Sequence, residues 1–327
     1  MSRFDLSRRA FVGLAGAGLA ALDAGRAAAR RLDMQEEIAL WPGLPPGHGD
    51  TPPVPQVEDH AKTPGHPDRL IRGVAVPRLV VRRAERPNGA AMLLMPGGGY
   101  EFQGFDNEGT RQADWLNARG ITAFILVYRL PAEGWRNRSV VPLQDAQRAM
   151  RLIRTGAEGF GIDPERVGAM GFSAGGHLGG MLATRWDMPS YRAVDAADRV
   201  CARPDLAALI YPVITMRTPF THAGSRAALL GESPAEAEVE RFSVDTNVAA
   251  DTPPVFLMHA GDDAIVPVQN SIMMYNAMLA HRRPAALHLF EKGGHGFGVN
   301  LPDRMPASSW PQMFTNFAAD QNLFGAE

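Results

Sequence analysis

From about residue 75 onward, short apolar runs alternate with segments whose apolar positions recur every three to four residues. The runs at 78–83, 91–95, 121–127, 167–170, 206–211, 255–259 and 286–290 read as strands. Between them the spacing predicts helices, and the clearest places Leu143, Ala146, Met150 and Ile153 on one stripe behind Pro142 and stops at the glycines of 156–161. Similar patterns occupy about 108–119, 174–186, 268–282 and 311–323. Alternation of this kind predicts an α/β fold, a mainly parallel central sheet with helices on both faces. Residues 212–253 are less regular and lie between two predicted strands, so they read as a small lid insertion above the site.

Two stretches fall outside this pattern. Residues 41–67 are dense in proline and glycine, which suits neither a helix nor a central strand, so 31–74 reads as an extended arm on a catalytic domain of residues 75–327. Residues 1–30 carry Ser7-Arg8-Arg9-Ala10-Phe11-Val12, an apolar run to Leu22, and then Ala27-Ala28-Ala29. That is the layout of a twin-arginine export signal with a small-residue cleavage region, and it predicts a periplasmic or secreted protein that meets the export machinery. The apolar run is too short to span a bilayer comfortably, so no permanent membrane anchor is expected. The lone Cys201 can form no intrachain disulfide and belongs to no metal-binding cysteine pattern, which agrees with export of an already folded chain.

Composition narrows the function. A chain of 327 residues with 45% hydrophobic content can bury a sizeable core, and a formal net charge of −2 gives no positive excess for phosphate backbones. Nucleic acid is therefore excluded as an expected partner.

The chemistry is concentrated in glycine-framed motifs. Val167-Gly168-Ala169-Met170-Gly171-Phe172-Ser173-Ala174-Gly175-Gly176-His177 runs from a strand through a tight turn into a helix, with glycine two residues either side of Ser173. This is a nucleophile elbow: the serine is raised on strained backbone, its neighbours must be small, and the helix N-terminus faces a developing oxyanion. A fold with such an elbow orders its residues nucleophile, acid, histidine along the chain. His295, in Lys292-Gly293-Gly294-His295-Gly296-Phe297-Gly298 after the last predicted strand, is the expected base. The acid is expected in Ala260-Gly261-Asp262-Asp263, where Asp262 and Asp263 compete. Pro96-Gly97-Gly98-Gly99-Tyr100 follows a strand where an oxyanion loop belongs, so the amides of Gly98 or Gly99 together with that of Ala174 are the expected oxyanion donors. No Gly-Lys-Ser/Thr follows those glycines, which removes the phosphate-loop alternative. His177 reads as structural, inside the helix after the elbow.

With these motifs, and with Leu40-Trp41-Pro42-Gly43 and Asp145-Ala146-Gln147-Arg148-Ala149, the sequence resembles the esterase/lipase branch of the α/β-hydrolase fold. In particular it is similar to the bacterial acetylxylan-esterase and feruloyl-esterase-like group, from about Ala39 to the C-terminus. The resemblance implies a Ser-His-Asp esterase that removes acyl groups, acetyl above all, from plant cell-wall polysaccharide or its oligomers without a metal or organic cofactor. It also favours Asp263 as the acid, three positions before Val266-Pro267, and leaves Asp262 to shape the turn. Tyr100, Trp135 and Phe297, with Phe102, lie in loops expected to face the site, where aromatic faces could stack on sugar rings. Thr221 and His222 in the lid could also reach substrate, and no role is assigned to them. The rival readings are a general carboxylesterase, lipase or peptidase of the same fold and, outside enzymes, a binding protein built on it.

Overall fold

The computed structural model describes residues 36–325, of which 37–325 group into one compact unit. The expected export signal lies outside the described residues. The chain order of strands is β1 Glu36–Ala39, β2 Gln56–Asp59, β3 Arg69–Arg72, β4 Arg78–Arg82, β5 Ala91–Met95, β6 Gln103–Gly104, β7 Thr122–Val127, β8 Val167–Phe172, β9 Ala207–Ile210, β10 Val255–Ala260 and β11 Ala285–Phe290. Eight of them form one sheet in the order β1-β4-β7-β5-β8-β9-β10-β11. The pairs from β7 to β11 are parallel, while β4 runs antiparallel to β7.

The five central strands β5, β7, β8, β9 and β10 are buried at every position, which a sheet allows only where both faces are covered. Alternate side chains feed two separate cores. Leu93, Phe124, Ala169, Leu209 and Leu257 point to one, and Met92, Leu94, Ile125, Met170, Ile210 and Phe256 to the other. Helices α2 Val141–Thr155, α3 Ser173–Thr184 and α6 Gln269–Ala280 supply the first face. The second is supplied by α1 Arg111–Asn117, which a π-helical turn at Asp106–Thr110 precedes, and by α7 Trp310–Asp320. The expected stripe Leu143, Ala146, Met150 and Ile153 is fully inside the first core.

The segment read as an arm holds more regular structure than its composition suggested. It contributes β1 to the edge of the main sheet and, with β6, builds a small antiparallel sheet in the order β2-β3-β6. Its start is tied to α2: Leu40 and Trp41 are buried, the Trp41 indole donates to Asp145 at 2.9 Å, and the Pro46 carbonyl accepts from Arg129 at 2.5 Å. Arg129 and Asp145 are a fully buried ion pair at 2.8 Å. Between β9 and β10, residues 212–253 carry α4 Ala223–Leu230, α5 Glu236–Arg241 and a short 3-10 turn. Because β5, β8, β10 and β11 are parallel, the loops after them emerge along one edge of the sheet, where such folds place their sites.

Candidate active site

Ser173 stands at the end of β8 with φ 54°, left-handed for a residue with a side chain, directly after extended Phe172. The flanking glycines have a measurable reason. A Cβ on Gly171 would lie 2.1 Å from the Gly175 carbonyl oxygen, and one on Gly175 would lie 2.1 Å from the oxygen of Met95 and 2.5 Å from that of Pro96. The elbow is thus wedged against β5 and the glycine loop that follows it.

The structure brings Ser173, His295 and Asp263 together in one hydrogen-bonded row. His295 Nε2 is 2.9 Å from Ser173 Oγ, and Nδ1 is 2.6 Å from Asp263 Oδ2. The same carboxylate oxygen lies 3.2 Å from His259 Nε2, and Oδ1 accepts the amides of Ile265 and Val266 at 2.9 Å each. Burial works against the Asp263 charge, but hydrogen bonds from His259, His295 and the Val266 amide, with the attraction of His295, outweigh it and hold the carboxyl well below the ordinary range. Asp262 points elsewhere, accepting the amides of Gly293 and Gly294 at 2.9 and 2.8 Å and so fixing the loop that presents His295.

Gly98 and Gly99 have φ of 131° and 65°, and among the described residues neither amide has a protein acceptor. The Ala174 amide is in the first turn of α3, where helix N–H groups lack intrahelical partners. Beside them lies a cavity of about 460 Å³ lined by Gly97, Gly98, Gly99, Ser173 and His295, with Asp68, Leu70, Glu101, Phe102, Glu108, His222 and Ile265 among its other walls.

Three expected substrate contacts are corrected by the structure. Tyr100 is buried in the core with its hydroxyl 2.8 Å from His177 Nδ1, Trp135 is buried with Arg129 stacked on its ring, and Phe297 packs on Tyr211. None of the three lines the cavity, whereas Phe102 does. Tyr100 and Phe297 belong to the two hydrophobic cores, and Trp135 is covered by the Arg129 guanidinium. His177 is fully buried, with Nε2 2.7 Å from the Phe242 carbonyl, and burial pushes its pKa down to about 4.

A further carboxylate, Glu108, has no signature in the sequence. Its Oε2 accepts the Gly97 amide at 2.7 Å and its Oε1 the Tyr211 hydroxyl at 2.8 Å, while that hydroxyl accepts the Gly298 amide at 2.9 Å. The chain of bonds links the glycine loop to the histidine loop through a side chain whose ring centroid is 5.0 Å from that of His295. Burial pushes the Glu108 carboxyl up, opposed by the two hydrogen bonds and by nearby His295. It sits in the π-helical turn, where helical spacing from sequence does not apply. Among the described residues no group of three or more His, Cys, Asp or Glu side chains is arranged to hold a metal ion.

The BD-FAE family model matches residues 86–278, more than half of the chain. The chain belongs to the BD-FAE family. Among curated proteins, this BD-FAE chain is 38% identical over 208 residues to endo-1,4-beta-xylanase B of Butyrivibrio fibrisolvens, covering 64% of itself and 32% of that protein. It is 35% identical over 218 residues to the acetylxylan esterase of Xylanibacter ruminicola, covering 65% of itself and 42% of that protein. The chain therefore spans 32% and 42% of the length of these two relatives. The crystal structure of an acetyl ester-xyloside bifunctional hydrolase from Caldicellulosiruptor lactoaceticus superposes with a TM-score of 0.75 at 34% identity, covering 89% of this chain and 98% of that one. With the mostly parallel sheet, this similarity makes the fold that of the α/β hydrolases.

Proposed function

We propose that this BD-FAE chain is a carboxylic ester hydrolase that works by acyl transfer through Ser173, His295 and Asp263. The observation that carries the reading is the hydrogen-bonded row Ser173–His295–Asp263 beside two glycine amides that have no protein acceptor among the described residues. His295 Nε2 takes the Ser173 proton as Oγ attacks the ester carbonyl, and the amides of Gly98 or Gly99 and of Ala174 receive the negative oxygen. Asp263 orients the ring and stabilises imidazolium without taking the proton. Collapse of the tetrahedral intermediate returns that proton to the leaving alcohol, and water repeats the sequence on the acyl-enzyme.

The ester proposed is an acetyl group on xylan or a xylo-oligosaccharide, with general carboxylic esters as the broader class. Support comes from relatives named as an acetylxylan esterase, a xylanase and an acetyl ester-xyloside hydrolase. Acetate release should exceed the release of ferulate from feruloylated oligomers or of fatty acid from triglycerides, and a preference for triglycerides would sink the acetylxylan assignment. Export through the twin-arginine signal is part of the same proposal, because the polymer is met outside the cytoplasm. Fractionation of cells expressing the chain with Arg8 and Arg9 both changed to Lys should then leave it in the cytoplasm, and unchanged export would contradict the signal.

A further inference from the structure

The cavity has one polar wall that the acyl-transfer steps above do not use. His222 begins α4 as its N-cap: its Nδ1 receives the Ser225 amide at 3.2 Å and lies 2.8 Å from the Ser225 hydroxyl. Ser225 is fully buried, so the cap anchors the imidazole to the helix. An Nδ1 that accepts a backbone N–H puts the hydrogen of the neutral ring on Nε2. Burial first, and the nearby His295 second, push the His222 pKa below its ordinary value, against the pull of Glu101 and Asp263. The ring is therefore neutral at neutral pH, and among the described residues its Nε2 has no hydrogen-bond partner. It is a fixed donor on the cavity wall.

An acceptor stands close to it. A Cβ on Gly224 would lie 3.7 Å from His222 Nε2 and 3.9 Å from Glu101 Oε1, so donor and carboxylate flank one point that glycine leaves open. The ring also faces the glycine loop, since a Cβ on Gly99 would lie 3.8 Å from His222 Cε1. Glu101 is exposed and His222 half-buried, which puts the pair toward the open side of the cavity, whereas Glu108 closes its buried end. Both groups line the same cavity as Ser173 and His295, and an acetyl group carries no hydroxyl, so a polar pair there faces the part of the ester that does. That is the alcohol side of the ester.

We propose that His222 and Glu101 form a donor–acceptor pair that selects an alcohol moiety carrying a free hydroxyl beside the scissile ester, as in a partly acetylated sugar ring. The hydroxyl accepts from His222 Nε2 and donates to Glu101, satisfying both lone polar groups at once. A simple alkyl or aryl alcohol offers neither bond and leaves the half-buried His222 donor unmatched, and a site built for a hydroxyl discriminates against such an analogue. This inference rests on the ester-hydrolase reading and adds the alcohol it prefers.

The test compares kcat/KM on two acetyl esters, an acetylated methyl xyloside with a free vicinal hydroxyl and 4-nitrophenyl acetate, for the full chain and two variants. His222→Asn keeps a good N-cap while withdrawing the Nε2 donor, and Glu101→Gln changes the exposed acceptor. For each variant the xyloside should lose roughly tenfold more than nitrophenyl acetate loses. With the vicinal hydroxyl methylated, the unsubstituted enzyme should drop by a similar factor and the Asn variant little further. A ratio that does not change in His222→Asn overturns the pairing alone. A parent chain that hydrolyses neither ester overturns the hydrolase reading itself.

Discussion

At the scale of residues, the two neighbouring aspartates show what sequence can and cannot resolve. Asp262 and Asp263 differ by one position in a turn, and spacing alone left them in competition; the structure gives them opposite orientations, one to His295 and one to the Gly293 and Gly294 amides. Asp263→Asn should lower kcat by about 10⁴-fold by removing the carboxylate that fixes the imidazole tautomer. Asp262→Ala should cost about ten- to a hundredfold, because it loosens the loop without touching the imidazole. Turnover of nitrophenyl acetate by the two purified variants checks this, and a larger loss at Asp262 would reverse the assignment. Ser173 and His295 were legible because glycines on both sides give a local reason for their backbone. Glu108 was not, because its partners Gly97 and Tyr211 are far away in sequence and a buried carboxylate leaves no periodic mark.

At the scale of elements, seven strands of the main sheet, five of them buried throughout, were readable as mainly apolar runs, and the ends of all seven fall within two residues of the observed ones. The strands that sequence missed are of another kind. β2 reads Gln-Val-Glu-Asp and is exposed throughout, β3 is flanked by arginines, and β6 has two residues, so each exists through its pairing rather than its own propensity. Helix α3 shows a contact of the same long-range sort, through His177, which joins the Tyr100 hydroxyl to the Phe242 carbonyl. Its folded pKa of about 4 lies below the unfolded value near 6.5. The unfolded chain therefore binds the extra proton first, and stability that is intact above about pH 6.5 falls as the pH drops toward 4, by an amount on the order of 3 kcal/mol. Urea midpoints measured across that range should decline, and His177→Gln should flatten the decline. An equal slope in both proteins would remove His177 as its source.

For the whole molecule, alternation of strands and helices sufficed to imply two covered faces, and the structure fills them with two separate cores. How the proline-rich segment joins the domain was hidden, because it depends on Arg129 and Asp145, buried together and reached by Trp41 and Pro46 from a hundred and about eighty residues away. Parallel strand order also explains how four distant loops meet: the glycine loop, the elbow, the Asp263 turn and the histidine loop all leave the same edge of the sheet. The central claim is that this meeting makes Ser173 a nucleophile. Incubation with a fluorophosphonate followed by peptide mass mapping tests it most directly. The account predicts a single adduct on Ser173 that disappears in Ser173→Ala and forms far more slowly in Asp263→Asn; an unlabelled chain, or an adduct on another residue, would contradict it.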